Sequence, residues 1–130
     1  MKILQFEDDL NKYMDIASVL KSVGVTDVIW VESLEKGMQI LDENANEIDV
    51  IISDMYFPIK ASGKPDGAAG EEVLKMVKEK HYEIPVIMIS SDRIVIPEAY
   101  KCIWYSDSVD WEIELRNEIS KCAKFCERRL

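Results

Sequence analysis

Residues 50–58 read VIISDMYFP, and the reading of this stretch decides the fold. Val50, Ile51 and Ile52 are β-branched and suit a strand buried on both faces. Ser53 and Asp54 end the apolar run, and Pro58 argues against its regular continuation. A carboxylate at the mouth of a buried strand is costly unless water, a partner or a metal receives it. Asp54 is therefore either a turn residue that caps a strand or the working end of a site.

Outward from this stretch, two periodicities alternate along the chain. KILQF at 2–6 reads as a strand, and Leu10, Tyr13, Met14, Ala17 and Leu20 then recur at helical spacing until Gly24. DVIWV at 27–31 is a second strand, and Ser33 caps a helix with Leu34, Met38, Leu41 and Ala45 on its apolar face. The third strand covers 48–53, and a loop rich in Gly, Pro and Lys runs to residue 70. Val73, Leu74 and Val77 mark a helix closing near His81, which has no catalytic role in this reading. PVIMIS at 85–90 and KCIWY at 101–105 are the fourth and fifth strands. The last helix runs from about Asp110, with Trp111, Leu115, Ile119, Cys122 and Cys126 in one stripe and Lys121, Lys124, Arg128 and Arg129 toward its C-terminus, where cations suit the helix dipole.

Repeated strand–helix alternation predicts an α/β, doubly wound parallel sheet with helices on both faces. Between Ser90 and Lys101 only about ten residues remain, near the minimum for a parallel crossover. The fourth helix is therefore expected to be short or absent. Without an internal repeat or linker, residues 1–130 read as a single domain.

Composition narrows the function. The chain has 25 acidic and 16 basic residues, a formal net charge of −9, which argues against nucleic acid or an anionic membrane as a partner. No apolar run approaches the ~20 residues of a membrane helix, and MKILQFEDD lacks the pattern of a signal peptide. Cys102, Cys122 and Cys126, with a single histidine, make neither a disulfide framework nor a zinc site. A reducing, cytoplasmic location is the expectation.

The chemistry collects at strand ends. The first strand ends on Glu7, Asp8 and Asp9, the third on Asp54, and the fourth on Ser90 and Ser91. Taken singly, each has a structural explanation: acidic residues favour a helix N-terminus, aspartate a turn, and Ser90, Ser91 and Asp92 a cap. Ligands of an open doubly wound sheet bind beyond the C-terminal strand ends, at the switch point in strand order. If the first and third strands are neighbours, Glu7, Asp8 and Asp54 converge there. Two carboxylates ~4 Å apart repel by about 4 kcal/mol at an effective dielectric of 20. An all-oxygen, carboxylate-rich cluster points to Mg²⁺ as the ion that relieves this.

KILQFEDD ahead of a helix, DVIISDMYFP and PVIMISS together resemble the receiver domain of two-component response regulators, over nearly the whole chain. The resemblance implies a flavodoxin-like five-stranded parallel sheet of order 2-1-3-4-5. It implies that Glu7 and Asp8 hold Mg²⁺ with Asp54 and the Tyr56 backbone carbonyl. It further implies that Asp54 is the phosphoacceptor and Ser90 the hydroxyl that senses the phosphoryl group, with Pro58 in a matching position. Such a receiver is not an enzyme on other substrates; it catalyses its own phosphorylation and dephosphorylation. The donor would be a histidine kinase or histidine phosphotransfer protein, and the output would pass to a downstream protein.

Three departures stand against the pattern. The family's fifth-strand lysine falls at Tyr105, followed by Ser106 and not proline. The aromatic residue usual three positions earlier is Cys102, with Trp104 close by. The loop after Asp54 is long, and Lys60 and Lys64 on it are candidates to swing an ammonium toward Asp54. The rival functions are a phosphorylation-independent adaptor of the same fold and an aspartate-nucleophile phosphohydrolase. The latter would need a second aspartate where Tyr56 stands.

Overall fold

β-branched runs form the centre of the molecule. The computed structural model describes the backbone of residues 1–66 and 68–129, and side chains for residues 1–65 and 69–124. The side chains of Cys126, Arg128 and Arg129 lie outside the described residues. The elements follow in the order β1 (Lys2–Phe6), α1 (Leu10–Ser22), β2 (Asp27–Val31), α2 (Leu34–Asn44), β3 (Val50–Ser53), α3 (Ala68–Glu79), β4 (Val86–Ser90), β5 (Lys101–Trp104) and α4 (Trp111–Arg129). The five strands form one parallel sheet in the order β2-β1-β3-β4-β5. This is the expected 2-1-3-4-5 arrangement.

Alternation along each strand builds two core layers. Leu4, Phe6, Ile51 and Met88 face α2 and α3, where they meet Leu34, Leu41, Val73 and Leu74. Ile3, Ile52, Ile87, Ile89 and Ile103 face α1 and α4, where they meet Ile16, Leu20, Leu115 and Ile119. Each such side chain, taken out of water, contributes about 2 kcal/mol against chain entropy.

The helix ends follow local chemistry. Asp9 caps α1, accepting from the N–H groups of Asn11 at 2.9 Å and Lys12 at 3.2 Å. Gly24 at φ +82° closes it: its N–H donates to the Lys21 carbonyl and that of Val25 to the Leu20 carbonyl. Ser33 caps α2 through the Lys36 N–H, as the sequence indicates.

Four details differ from the sequence reading. The inner face of α1 is Lys12, Ile16, Val19 and Leu20, whereas Leu10 and Met14 are more than half exposed. The two stripes compete on one helix, and the one ending in Ile16 and Val19 wins because it meets the β-branched underside of the sheet. Tyr13 instead stacks on Trp30 of β2, ring centroids 4.0 Å apart. The third strand starts at Val50, not Ile48, because a 3-10 turn at Ala45–Glu47 still holds the Ile48 N–H. Phe57–Pro58 pairs antiparallel with Pro65–Asp66, so Pro58 does enter a short ladder. Finally, α3 begins at Ala68, inside the stretch read as loop.

No helix spans residues 91–100. Ile94, Ile96 and Ala99 cover that part of the α2–α3 layer from an irregular loop, and Cys102 Sγ meets the Ile96 backbone. Among the described residues, no helix is long and apolar enough to cross a membrane.

Candidate functional site

Backbone pairing sets the acidic residues side by side. The Asp54 N–H donates to the Phe6 carbonyl at 3.0 Å, extending the β1–β3 ladder by one rung past Ser53. Glu7 is held from the other side: its N–H donates to the Val31 carbonyl, and its own carbonyl accepts Trp30 Nε1 at 2.6 Å. The result is that Glu7, Asp8 and Asp54 each present a carboxylate oxygen within 4.8 Å of the others. The convergence expected from the strand ends is therefore present.

The three carboxylates do not share one environment. Glu7 is 1% exposed, and burial pushes its carboxyl up to about 7; Lys12 pulls it down and the Asp54 charge pushes it further up. Asp8 is half-buried, and loss of water raises its carboxyl as well. Asp9, the third acidic residue of the run, is occupied as the α1 cap. It fulfils the structural explanation that its neighbours escape.

One member of the site was not legible as such: Lys12. Its side chain is nearly fully buried, and its ammonium lies 3.0 Å from Glu7 Oε1 and 3.0 Å from Asp54 Oδ1. It also donates to the Ile89 carbonyl of β4 at 2.6 Å. Asp54 Oδ1 accepts from the Met55 N–H at 2.8 Å as well, so Oδ2 is the oxygen that neither group uses. The signal was available in the spacing, since Lys12, Ile16, Val19 and Leu20 recur on one helical face. A lysine in an otherwise apolar stripe asks for a buried anion.

Gly70 is a second residue that only the structure brings forward. Its N–H donates to the Met55 carbonyl at 3.0 Å, and a Cβ there would stand 2.7 Å from Met55 Cα and 2.9 Å from the Asp54 carbonyl oxygen. The start of α3 thus rests directly on the backbone that carries Asp54.

The remaining predicted positions lie outside this cluster. Register places Ser90 at the end of β4, next to β3; it is fully buried, and its Oγ accepts from the Asp92 N–H at 3.2 Å. Tyr56 is exposed in the loop after β3, and its phenol is raised chiefly by the charge of Asp92, which joins the loops after β3 and β4. Tyr105 turns its ring toward Lys12, whose Nζ is 5.6 Å from the centroid. Its hydroxyl donates to Asp15 on α1. Lys60 and Lys64 are exposed, and the lysine paired with Asp54 is Lys12. Trp104 packs under Arg93 and donates to the Ser91 carbonyl at 3.0 Å.

The architecture recurs in solved structures. A response regulator receiver domain protein from Clostridium thermocellum superimposes with a TM-score of 0.75 at 23% identity, over 99% of this chain and 98% of that one. The response regulatory domain of mrkE from Klebsiella pneumoniae gives 0.77 at 15% identity, covering 98% and 99%. The fold is that of a response-regulator receiver. The Mn²⁺-bound form of the response regulator Rcp1 gives a TM-score of 0.68 at 21% identity, over 88% of each chain. By sequence, a curated Arabidopsis thaliana protein named as a two-component response regulator is 28% identical to this chain over 95 residues, 73% of its length. The match spans 14% of that relative's length. No protein-family model matches the chain.

Proposed function

We propose that this receiver takes a phosphoryl group onto Asp54 from the phosphohistidine of a histidine kinase or phosphotransfer protein. The observation that supports this most directly is the gathering of Glu7, Asp8 and Asp54 within 4.8 Å at the C-terminal ends of neighbouring strands. An all-oxygen donor set of this kind fits a hard divalent cation, and a receiver of the same fold is described in a Mn²⁺-bound form. Glu7, Asp8, Asp54 and the Tyr56 carbonyl would hold Mg²⁺, which would neutralise charge on the transferring oxygens.

The chain's own groups then have distinct tasks. Lys12 and the Met55 N–H fix Asp54 Oδ1, which leaves Oδ2 to approach phosphorus. A new P–O bond forms as the donor's P–N bond breaks. The electron pair leaves on the imidazole nitrogen, which takes a proton. Ser90, at the end of the adjacent strand, would donate its hydroxyl to a phosphoryl oxygen. The acidic net charge suits a basic partner surface, and the free thiol of Cys102 suits a cytoplasmic setting.

A second reading has its own support. Lys12 supplies an internal cation to the acidic cluster, so the cluster does not depend on a metal to relieve its repulsion. This favours an adaptor of receiver fold that works without phosphorylation. Incubation with a small-molecule phosphodonor, with and without Mg²⁺, separates the two by intact mass. A single Mg²⁺-dependent phosphoryl adduct, lost in Asp54→Asn, is the expected result. No adduct under any condition would leave the adaptor as the better reading.

A further inference from the structure

The Lys12 ammonium has three donors, and three acceptors meet them: the Ile89 carbonyl, Glu7 Oε1 and Asp54 Oδ1. A fourth contact is the face of Tyr105, the residue that ends up where a strand-borne lysine was expected. We propose that Lys12 is the phosphoryl-binding cation of this chain and that, being carried by α1, it makes α1 and the cleft beside it the reader of Asp54. The proposal rests on Asp54 being the phosphoacceptor.

Phosphorylation turns a singly charged carboxylate into a group of roughly −2 charge whose acceptor oxygens lie one bond further out. A fully engaged ammonium meets those oxygens only by releasing an existing partner. The Asp54 oxygen is the partner whose charge is lost, so that contact is the one exchanged. Glu7 and the Ile89 carbonyl stay in place and keep the ammonium anchored.

The exchange also alters what Lys12 does on its other side. Its ammonium faces the Tyr105 ring, and one helical turn later Asp15 accepts the Tyr105 hydroxyl. Tyr105 is thus bracketed by two residues of α1. It lines, with Asp15, Ser18, Trp111 and Arg116, a cleft of about 580 Å³ between α1 and α4. Arg116 Nε of α4 reaches Ser22 Oγ of α1 across the same cleft. A small shift of the anchored Lys12 ammonium relative to the ring face moves this set of contacts, on the side of the sheet opposite Ile94, Ile96 and Ala99.

The test follows the side-chain ammonium resonance of Lys12 in ¹⁵N-labelled wild-type protein, assigned by its absence from Lys12→Arg. Mg²⁺ is added first, then beryllofluoride as a phosphoryl mimic. The expected result is a shift of the Lys12 resonance with beryllofluoride, together with the amides of Asp15, Ser18, Ser22 and Tyr105. In parallel, Lys12→Met takes up phosphoryl from a small donor at least about tenfold more slowly than wild type. The proposal is overturned if wild type is modified at Asp54 while the Lys12 resonance stays in place, or if uptake by a folded Lys12→Met is within twofold of wild type. If Lys12→Met does not fold, the wild-type resonance decides alone. A wild type that takes up no phosphoryl group and no beryllofluoride overturns the phosphoacceptor reading first, and this inference with it.

Discussion

Lys12 and Asp54 come from different layers of the molecule, a helix and a buried strand end, and meet at 3.0 Å. The pair is coupled to Glu7, which is nearly without contact with water. Removing one partner of such a set strands the other charges in a low-dielectric site, typically at a cost of about 3 kcal/mol. Lys12→Met is therefore expected to lower stability by about that amount in urea unfolding. Combining it with Glu7→Gln should recover a large part of the loss, because the stranded carboxylate is gone. A double variant that is simply the sum of the two singles would show that the groups are not coupled.

The same pair marks where sequence reading succeeded and where it stopped. Strand identity was legible because KILQF, VIIS and VIMIS are apolar runs with sharp ends, and the acidic residues after the first two gave Glu7, Asp8 and Asp54 directly. Lys12 was not seen because the choice between two α1 stripes went to Leu10, Tyr13 and Met14, which put the lysine on the outside. Helical spacing alone admits both stripes; the buried anions that draw Lys12 inward exist only after β1 and β3 pair. Gly70 shows the same limit, since its need for hydrogen in place of a side chain arises from Met55 and Asp54 across space.

Gly70→Ala tests that contact. The added methyl would stand 2.7 Å from Met55 Cα, so either α3 or the Asp54–Met55 segment must move. Overpacking of this kind costs about 1–3 kcal/mol. Stability should fall within that range, and phosphoryl uptake at Asp54 should slow in parallel. Stability and uptake both equal to wild type would mean that the backbone yields without consequence.

Gln5 offers a gain in the opposite direction. It is fully buried near the C-terminal end of β1, and neither its amide nitrogen nor its amide oxygen has a hydrogen-bond partner. An unsatisfied buried polar group costs about 1–3 kcal/mol, and an apolar group of similar shape removes that cost. Gln5→Met should therefore raise the urea midpoint without changing the slope of the transition. A destabilised variant would reveal that the amide is satisfied in solution by a buried water.

Tyr105 provides the pH test. Burial first, then its bond to Asp15 and the charges of Asp15, Asp9 and Asp107, raise its phenol above the ordinary range near 10. The sign follows from which form the fold prefers: the neutral phenol is retained longer when folded than when unfolded. Any stability linked to it is complete below about pH 10 and declines as pH rises through the raised folded value. In an ultraviolet titration of the native protein, Tyr105→Phe should remove signal from the most alkaline limb. Tyr100, pushed up to about 12 chiefly by loss of water, should remain on that limb in the variant. Signal lost near pH 10 instead would place the Tyr105 hydroxyl in water, away from Asp15, and would remove the link between α1 and the end of β5.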